Sequence, residues 1–96
     1  MYESAFERKL CKYIKSIGGI AYKWVSPGIS GVPDRIVILP KGQIIFIEVK
    51  RPGISEDEGL SIRQKKVRAT LEELGCTVWC ISNVEDLKER LTTYGV

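Results

Sequence analysis

The sequence predicts an α/β domain built on a mixed four-stranded sheet flanked by helices. Three observations carry this. Two apolar runs, Arg35 to Pro40 and Gln43 to Lys50, meet at a short Pro40-Lys41-Gly42 turn and so form an antiparallel hairpin. A helical pattern separates the second run from a later apolar stretch, Thr77 to Ile81, and a helix between two strands implies a right-handed parallel crossover. A further apolar run, Ile20 to Val25, precedes the hairpin and supplies the fourth strand, and the antiparallel hairpin together with the parallel crossover makes the sheet mixed.

The elements follow in order. From about Ser4 to Ile17, Leu10, Ile14 and Ile17 share one helical face; Ser4 with Glu7 fits a capping box, and Gly18-Gly19 stops the helix. The strand Ile20 to Val25 leads into SPGISGVP, a loop whose glycines and prolines forbid regular structure. After the hairpin, RPGISEDEG reads as a polar loop with Glu56-Asp57-Glu58 facing solvent. A helix from Ser61 to about Leu74 opens with a second capping box, SIRQ, and ends at Gly75; its buried stripe is Val67, Leu71 and Leu74. The last helix begins near Ser82 and ends at Gly95, giving the order αβββαβ plus a C-terminal helix.

Ninety-six residues with 44% hydrophobic content suit a single domain spanning residues 1 to 96, with a compact core that a dimer would help to complete. The net charge of +3 favours an acidic partner only weakly. No apolar run approaches a membrane span and MYESAFERK lacks a signal peptide's apolar segment, so a cytoplasmic protein is expected. Cys76 and Cys80 on one strand would lie about 13 Å apart, too far for a disulfide or a shared metal. All three cysteines therefore read as small hydrophobes, and with no histidine, acid-base or metal chemistry must use carboxylates, lysine or water.

Polar residues interrupt the apolar faces at particular places. Glu3 and Glu7 begin the stripe of the first helix, and Gln64 begins that of the second. Glu48 and Lys50 share a strand face with Ile44 and Phe46, about 6 to 7 Å apart. Asp34 starts the neighbouring strand, so hairpin pairing makes it a cross-strand neighbour of Glu48. Crowded carboxylates repel and are costly unless a cation neutralises them, and hard oxygen ligands suit Mg²⁺ or Mn²⁺. Such a cation activates water and stabilises charge on a phosphoryl oxygen, which points to phosphodiester hydrolysis.

Pro33-Asp34 followed by Glu48-Val49-Lys50 resembles the signature of the PD-(D/E)xK nuclease superfamily, with its restriction-endonuclease-like core. With Glu7 in a first helix, Gly31-Val32 before the Pro-Asp pair and Gln64 in a later helix, the chain is similar to the VRR-NUC family, especially its stand-alone phage-type members. The resemblance runs from Glu7 to Ile81 and implies a metal held by Asp34, Glu48 and the Val49 carbonyl. It further implies that Lys50 orients or activates the attacking water, that Glu7 completes the metal's surroundings with Glu3 in reserve, and that Gln64 holds Lys50 or the water network. The implied activity is a Mg²⁺- or Mn²⁺-dependent endonuclease leaving a 5′-phosphate on DNA. Its short members suggest a homodimer acting on branched DNA such as four-way (Holliday) junctions, in the host cytoplasm if phage-encoded.

Other readings stand beside these. Glu7 and Gln64 each suffice as capping-box residues, Asp34 suits a turn after proline, and Glu48 with Lys50 could be an exposed pair on an edge strand. Lys23, Ser30, Arg35, Arg51, Lys65 and Arg68, with Arg63 and Lys66, could track phosphates or form a solvated basic face. Trp24 and Trp79 read as core or interface residues rather than base-stacking platforms. A catalytically silent DNA-binding or assembly module on the same scaffold, or the nuclease subunit of a restriction-type system, are the alternatives.

Overall fold

The computed structural model describes residues 4–95. Helix α1 (Ala5–Ser16) opens on Ser4, whose side chain accepts from the Glu7 amide while the Glu7 carboxylate accepts from the Ser4 amide, the reciprocal capping box expected from the sequence. It ends where Gly18 takes φ +91°, a conformation that an L side chain resists. The strands are β1 (Ile20–Lys23), β2 (Arg35–Ile38), β3 (Ile44–Val49) and β4 (Thr77–Ile81), in the spatial order β1-β2-β3-β4. The first two pairings are antiparallel and β3 with β4 is parallel, so the predicted mixed sheet and crossover are present.

The remaining helices are α2 (Glu56–Gly59), α3 (Ile62–Glu73) and α4 (Val84–Tyr94). The single turn α2 lies in the segment read as plain loop: Ser55 accepts from the Glu58 amide and caps it. The strands are also shorter than their apolar runs, because β1 stops at Lys23 and β2 gives way at Leu39 to a 3₁₀ turn, Pro40–Gly42. The final helix is capped by Asn83 rather than Ser82.

One sheet face carries the core. Leu10 and Ile14 from α1, Leu87 and Leu91 from α4, and Val37, Leu39, Ile45, Ile47 and Ile81 from the sheet pack there, each at most 2% exposed. At about 1.5 to 3 kcal/mol for each such side chain removed from water, this cluster dominates the stability of a short chain. The opposite face is covered more thinly. Val78 and Cys80 are buried there and Trp24 packs on Phe46 with ring centroids 5.3 Å apart. No residue of α3 is fully buried, and Leu74, expected within its buried stripe, is 76% exposed because it has become the cap residue beyond the last turn. No helix among the described residues is long and apolar enough to cross a membrane.

Candidate active site

The hairpin decides where the acidic residues meet. Its register sets Arg35 opposite Ile47, so one further step sets Asp34 opposite Glu48. The Val49 amide donates to Asp34 Oδ2 at 2.8 Å, which fixes the Asp34 carboxylate against the end of β3. The loop before Asp34 is fixed from the other side. Gly31 has φ +90°, and a Cβ there would lie 2.7 Å from the Arg63 carbonyl, so only glycine lets this loop rest on the first turn of α3. Arg63 Nη1 donates to Ser30 Oγ at 2.6 Å on the same contact.

Glu48 is the anomaly of the molecule. It is 0% exposed, and neither carboxylate oxygen has a hydrogen-bond partner among the described residues. A buried ionised carboxylate in that condition costs several kcal/mol, so it either takes a proton or faces a cation. Burial lifts Glu48 to about 7, with Arg68 pulling it down and Asp34, Glu56 and Glu72 pushing it up. Asp34 is also raised by burial, against the Val49 hydrogen bond; Glu7 adds to the rise, and Lys23 and Arg35 oppose it.

This donor set fits a divalent cation. Two hard carboxylates share a strand end, one is orphaned and buried, and the Val49 backbone adjoins both. Among the described residues no three acidic, thiol or imidazole side chains converge into a complete cage, so a backbone carbonyl and water would have to complete the coordination, as Mg²⁺ permits.

The other predicted residues distribute differently. Glu7 is 8% exposed; its Oε1 accepts from Arg35 Nε at 3.2 Å and its Oε2 from Ser4, so both oxygens are committed within the protein. The cap and a buried ion pair therefore account for Glu7, which reaches Asp34 only through its charge. Glu3, the reserve ligand, lies outside the described residues. Gln64 Oε1 accepts from the Ser61 amide at 2.8 Å, completing the capping box of α3. Lys50 Nζ donates to the Ile54 carbonyl at 2.6 Å.

Of the basic residues read as phosphate contacts, Arg35 is corrected: at 6% exposure, paired with Glu7, it is an internal counter-charge. Lys23 exerts its pull on Asp34, Ser30 is held by Arg63, and Lys65 pairs with Asp57 at 2.8 Å on the surface. Arg51 is exposed beside Lys50. Arg68 is occupied by acidic side chains, with Nη1 2.9 Å from Glu56 and Nε 3.7 Å from Glu72, and its charge acts on Glu48. Glu56, read from sequence as solvent-facing, is thus part of the site's charge balance. The missed signal was spacing, since Gln64, Arg68 and Glu72 fall four apart on one face of α3. Cys80, beside Glu48 on β4, is pushed up to about 11 by burial and is an inert thiol.

No protein-family model matches the chain. A stretch of 51 residues is 59% identical to the protein named "Putative nuclease p44" of Acyrthosiphon pisum secondary endosymbiont phage 1. That stretch covers 53% of this chain and 55% of the phage protein, so the match spans about half of the relative's length. A solved structure described as a VRR_NUC domain is similar over 93% of this chain and 92% of its own, with a TM-score of 0.81 at 24% identity. The chain has the fold of that domain.

Proposed function

We propose that this protein is a divalent-metal-dependent DNA endonuclease of the VRR-NUC family, and that Asp34 and Glu48, with the Val49 carbonyl, hold Mg²⁺ or Mn²⁺. The observation that carries the reading is Glu48, a fully buried carboxylate without a hydrogen-bond partner among the described residues, set opposite Asp34 and two residues before Lys50. When bound, the cation would supply charge stabilisation at the scissile phosphate and lower the pKa of water beside it. Asp34, held by the Val49 amide, keeps its ligand oxygen in place without depending on side-chain packing. Lys50 brings an ammonium to the same strand end, where it orients the attacking water and offsets the negative charge that grows in the transition state. Gln64 supports Lys50 or the water network from the start of α3, and Glu7 acts from behind Asp34 by holding Arg35 in place.

In this reading Lys23, Ser30, Arg51 and Lys65 line the DNA path by contacting phosphates. Hydrolysis leaves a 5′-phosphate, and the substrate is branched DNA such as a four-way junction, cut by a homodimer. Exposed apolar residues on the edge strand and the loop after it, Tyr22 (56%), Val25 (56%) and Ile29 (63%), supply a surface for the second copy. A catalytically silent module is favoured by one observation, the lack of a three-ligand cage among the described residues.

One experiment separates these readings. Four-way junction, flap, splayed-arm and linear duplex DNA are incubated with the protein and its Asp34→Asn variant, with and without Mn²⁺. Asparagine keeps an oxygen for the Val49 amide, so the variant is expected to stay folded and to lose at least about a hundredfold in cleavage. Equal activity of wild type and variant removes the site assignment, and equal cutting of all four substrates removes the branch preference.

A further inference from the structure

Arg68 and Glu56 form a clasp between α3 and the loop that follows Lys50. The guanidinium lies 2.9 Å from Glu56 and 3.7 Å from Glu72, and its side chain is 22% exposed. Glu56 is the first residue of α2, two residues beyond Ile54, whose carbonyl receives the Lys50 ammonium at 2.6 Å. The same loop meets Lys50 a second time, because a Cβ on Gly59 would lie 3.3 Å from Lys50 Cβ. Buried Leu60, 5% exposed, anchors the loop's far end. Between Arg51 and Ser55 the chain makes only a turn, closed by the Ile54 amide donating to the Arg51 carbonyl at a long 3.4 Å, so the position of the Ile54 carbonyl depends also on what holds α2.

Half-exposed ion pairs contribute little to overall stability. What this one offers is placement. From these contacts we infer that Arg68 is a positioning residue: by holding Glu56 it fixes α2, hence the Ile54 carbonyl, hence the direction of the Lys50 ammonium at the nuclease site. The inference rests on the nuclease reading for its consequence in catalysis, while its structural part can be tested without it.

Arg68 also lies close enough to influence Glu48 by its charge, and so do Glu56 and Glu72. This yields a pattern that general loosening of the fold does not produce. Arg68→Gln removes a positive charge beside the cation site and should tighten Mn²⁺ binding by about threefold, whereas Glu56→Gln removes a negative charge and should weaken it by a similar factor. Both break the clasp, so both should slow Mn²⁺-dependent single-turnover cleavage by about tenfold. Arg68→Lys, which keeps the charge and can still reach Glu56, should restore most of the rate.

The test that does not depend on cleavage is acetic anhydride labelling of lysines, quantified by mass spectrometry on the intact, folded protein. Arg68→Gln and Glu56→Gln are each expected to raise the labelling rate of Lys50 severalfold, with exposed Lys9 and Lys41 unchanged. Wild-type labelling of Lys50 in both variants overturns the inference, as does cleavage that slows in step with weaker Mn²⁺ binding in Arg68→Gln. A wild-type protein without Mn²⁺-dependent cleavage refutes the nuclease reading, and the Lys50 labelling comparison then decides the clasp by itself.

Discussion

Replacing Glu48 by glutamine should make the protein more stable at alkaline pH. In the folded state Glu48 titrates near 7 against an ordinary value of 4.5, because burial penalises its charged form. A carboxylate raised in this way binds its proton more tightly when folded than when unfolded. The favourable contribution of the protonated form is therefore complete below about 4.5 and is lost as pH rises through about 7. The interval between those values corresponds to about 3 kcal/mol, a large share of the stability of a domain this size. Glutamine cannot ionise, so Glu48→Gln should lose this slope; at pH 8 the variant should exceed wild type by up to about 3 kcal/mol, less whatever its unpartnered amide costs in the same pocket. The assay is urea denaturation of both proteins in a chelator at pH 5, 6, 7 and 8. Saturating Mn²⁺ at pH 8 should return the lost stability to wild type only, by about 2.7 kcal/mol at a hundred times the dissociation constant. Stability curves for wild type and variant that stay parallel from pH 5 to pH 8 would refute the reasoning, since Glu48 would then not be the buried titrating group.

Two further perturbations separate architecture from chemistry. Glu7→Gln keeps a side chain able to complete the capping box but removes the Glu7 charge from beside the buried Arg35 guanidinium, so thermal and urea denaturation should show a loss of up to about 3 kcal/mol. A variant of normal stability that has lost Mn²⁺-dependent cleavage would instead return Glu7 to the metal's own shell. Gly31→Ala forces a Cβ against the Arg63 backbone at a φ of +90°, and should cost about 1 to 3 kcal/mol while loosening the loop that delivers Asp34. Calorimetry and a Mn²⁺ titration on the same sample should show both effects together.

The fold was legible because its determinants are local. Ser4 with Glu7 and Ser61 with Gln64 start their helices through side chains three residues away, and both capping boxes form. The turn at Pro40–Gly42 sets the hairpin register, which alone brings Asp34 opposite Glu48. Alternation along β3 likewise put Glu48 on the face of Phe46, away from the apolar core. The elements that escaped were those whose stability comes from contacts distant in the chain. The one-turn α2 is too short to show periodicity, and the exposure of Leu74 depends on how far the crossover helix extends past the sheet.

The sequence by itself determined the order of elements, the pairing of Asp34 with Glu48 and the presence of Lys50 at the same strand end, because turn geometry and the period of two in a strand suffice for these. Only the tertiary structure decided which charges serve that site. Arg35 and Glu7 pair across 28 positions inside the protein, whereas Arg68 and Glu56, from different helices, pair with each other close enough for both charges to act on Glu48. The physical reason is that a buried charge takes as its partner the nearest opposite charge in space, and the nearness in space of residues far apart in sequence is not written in any local pattern.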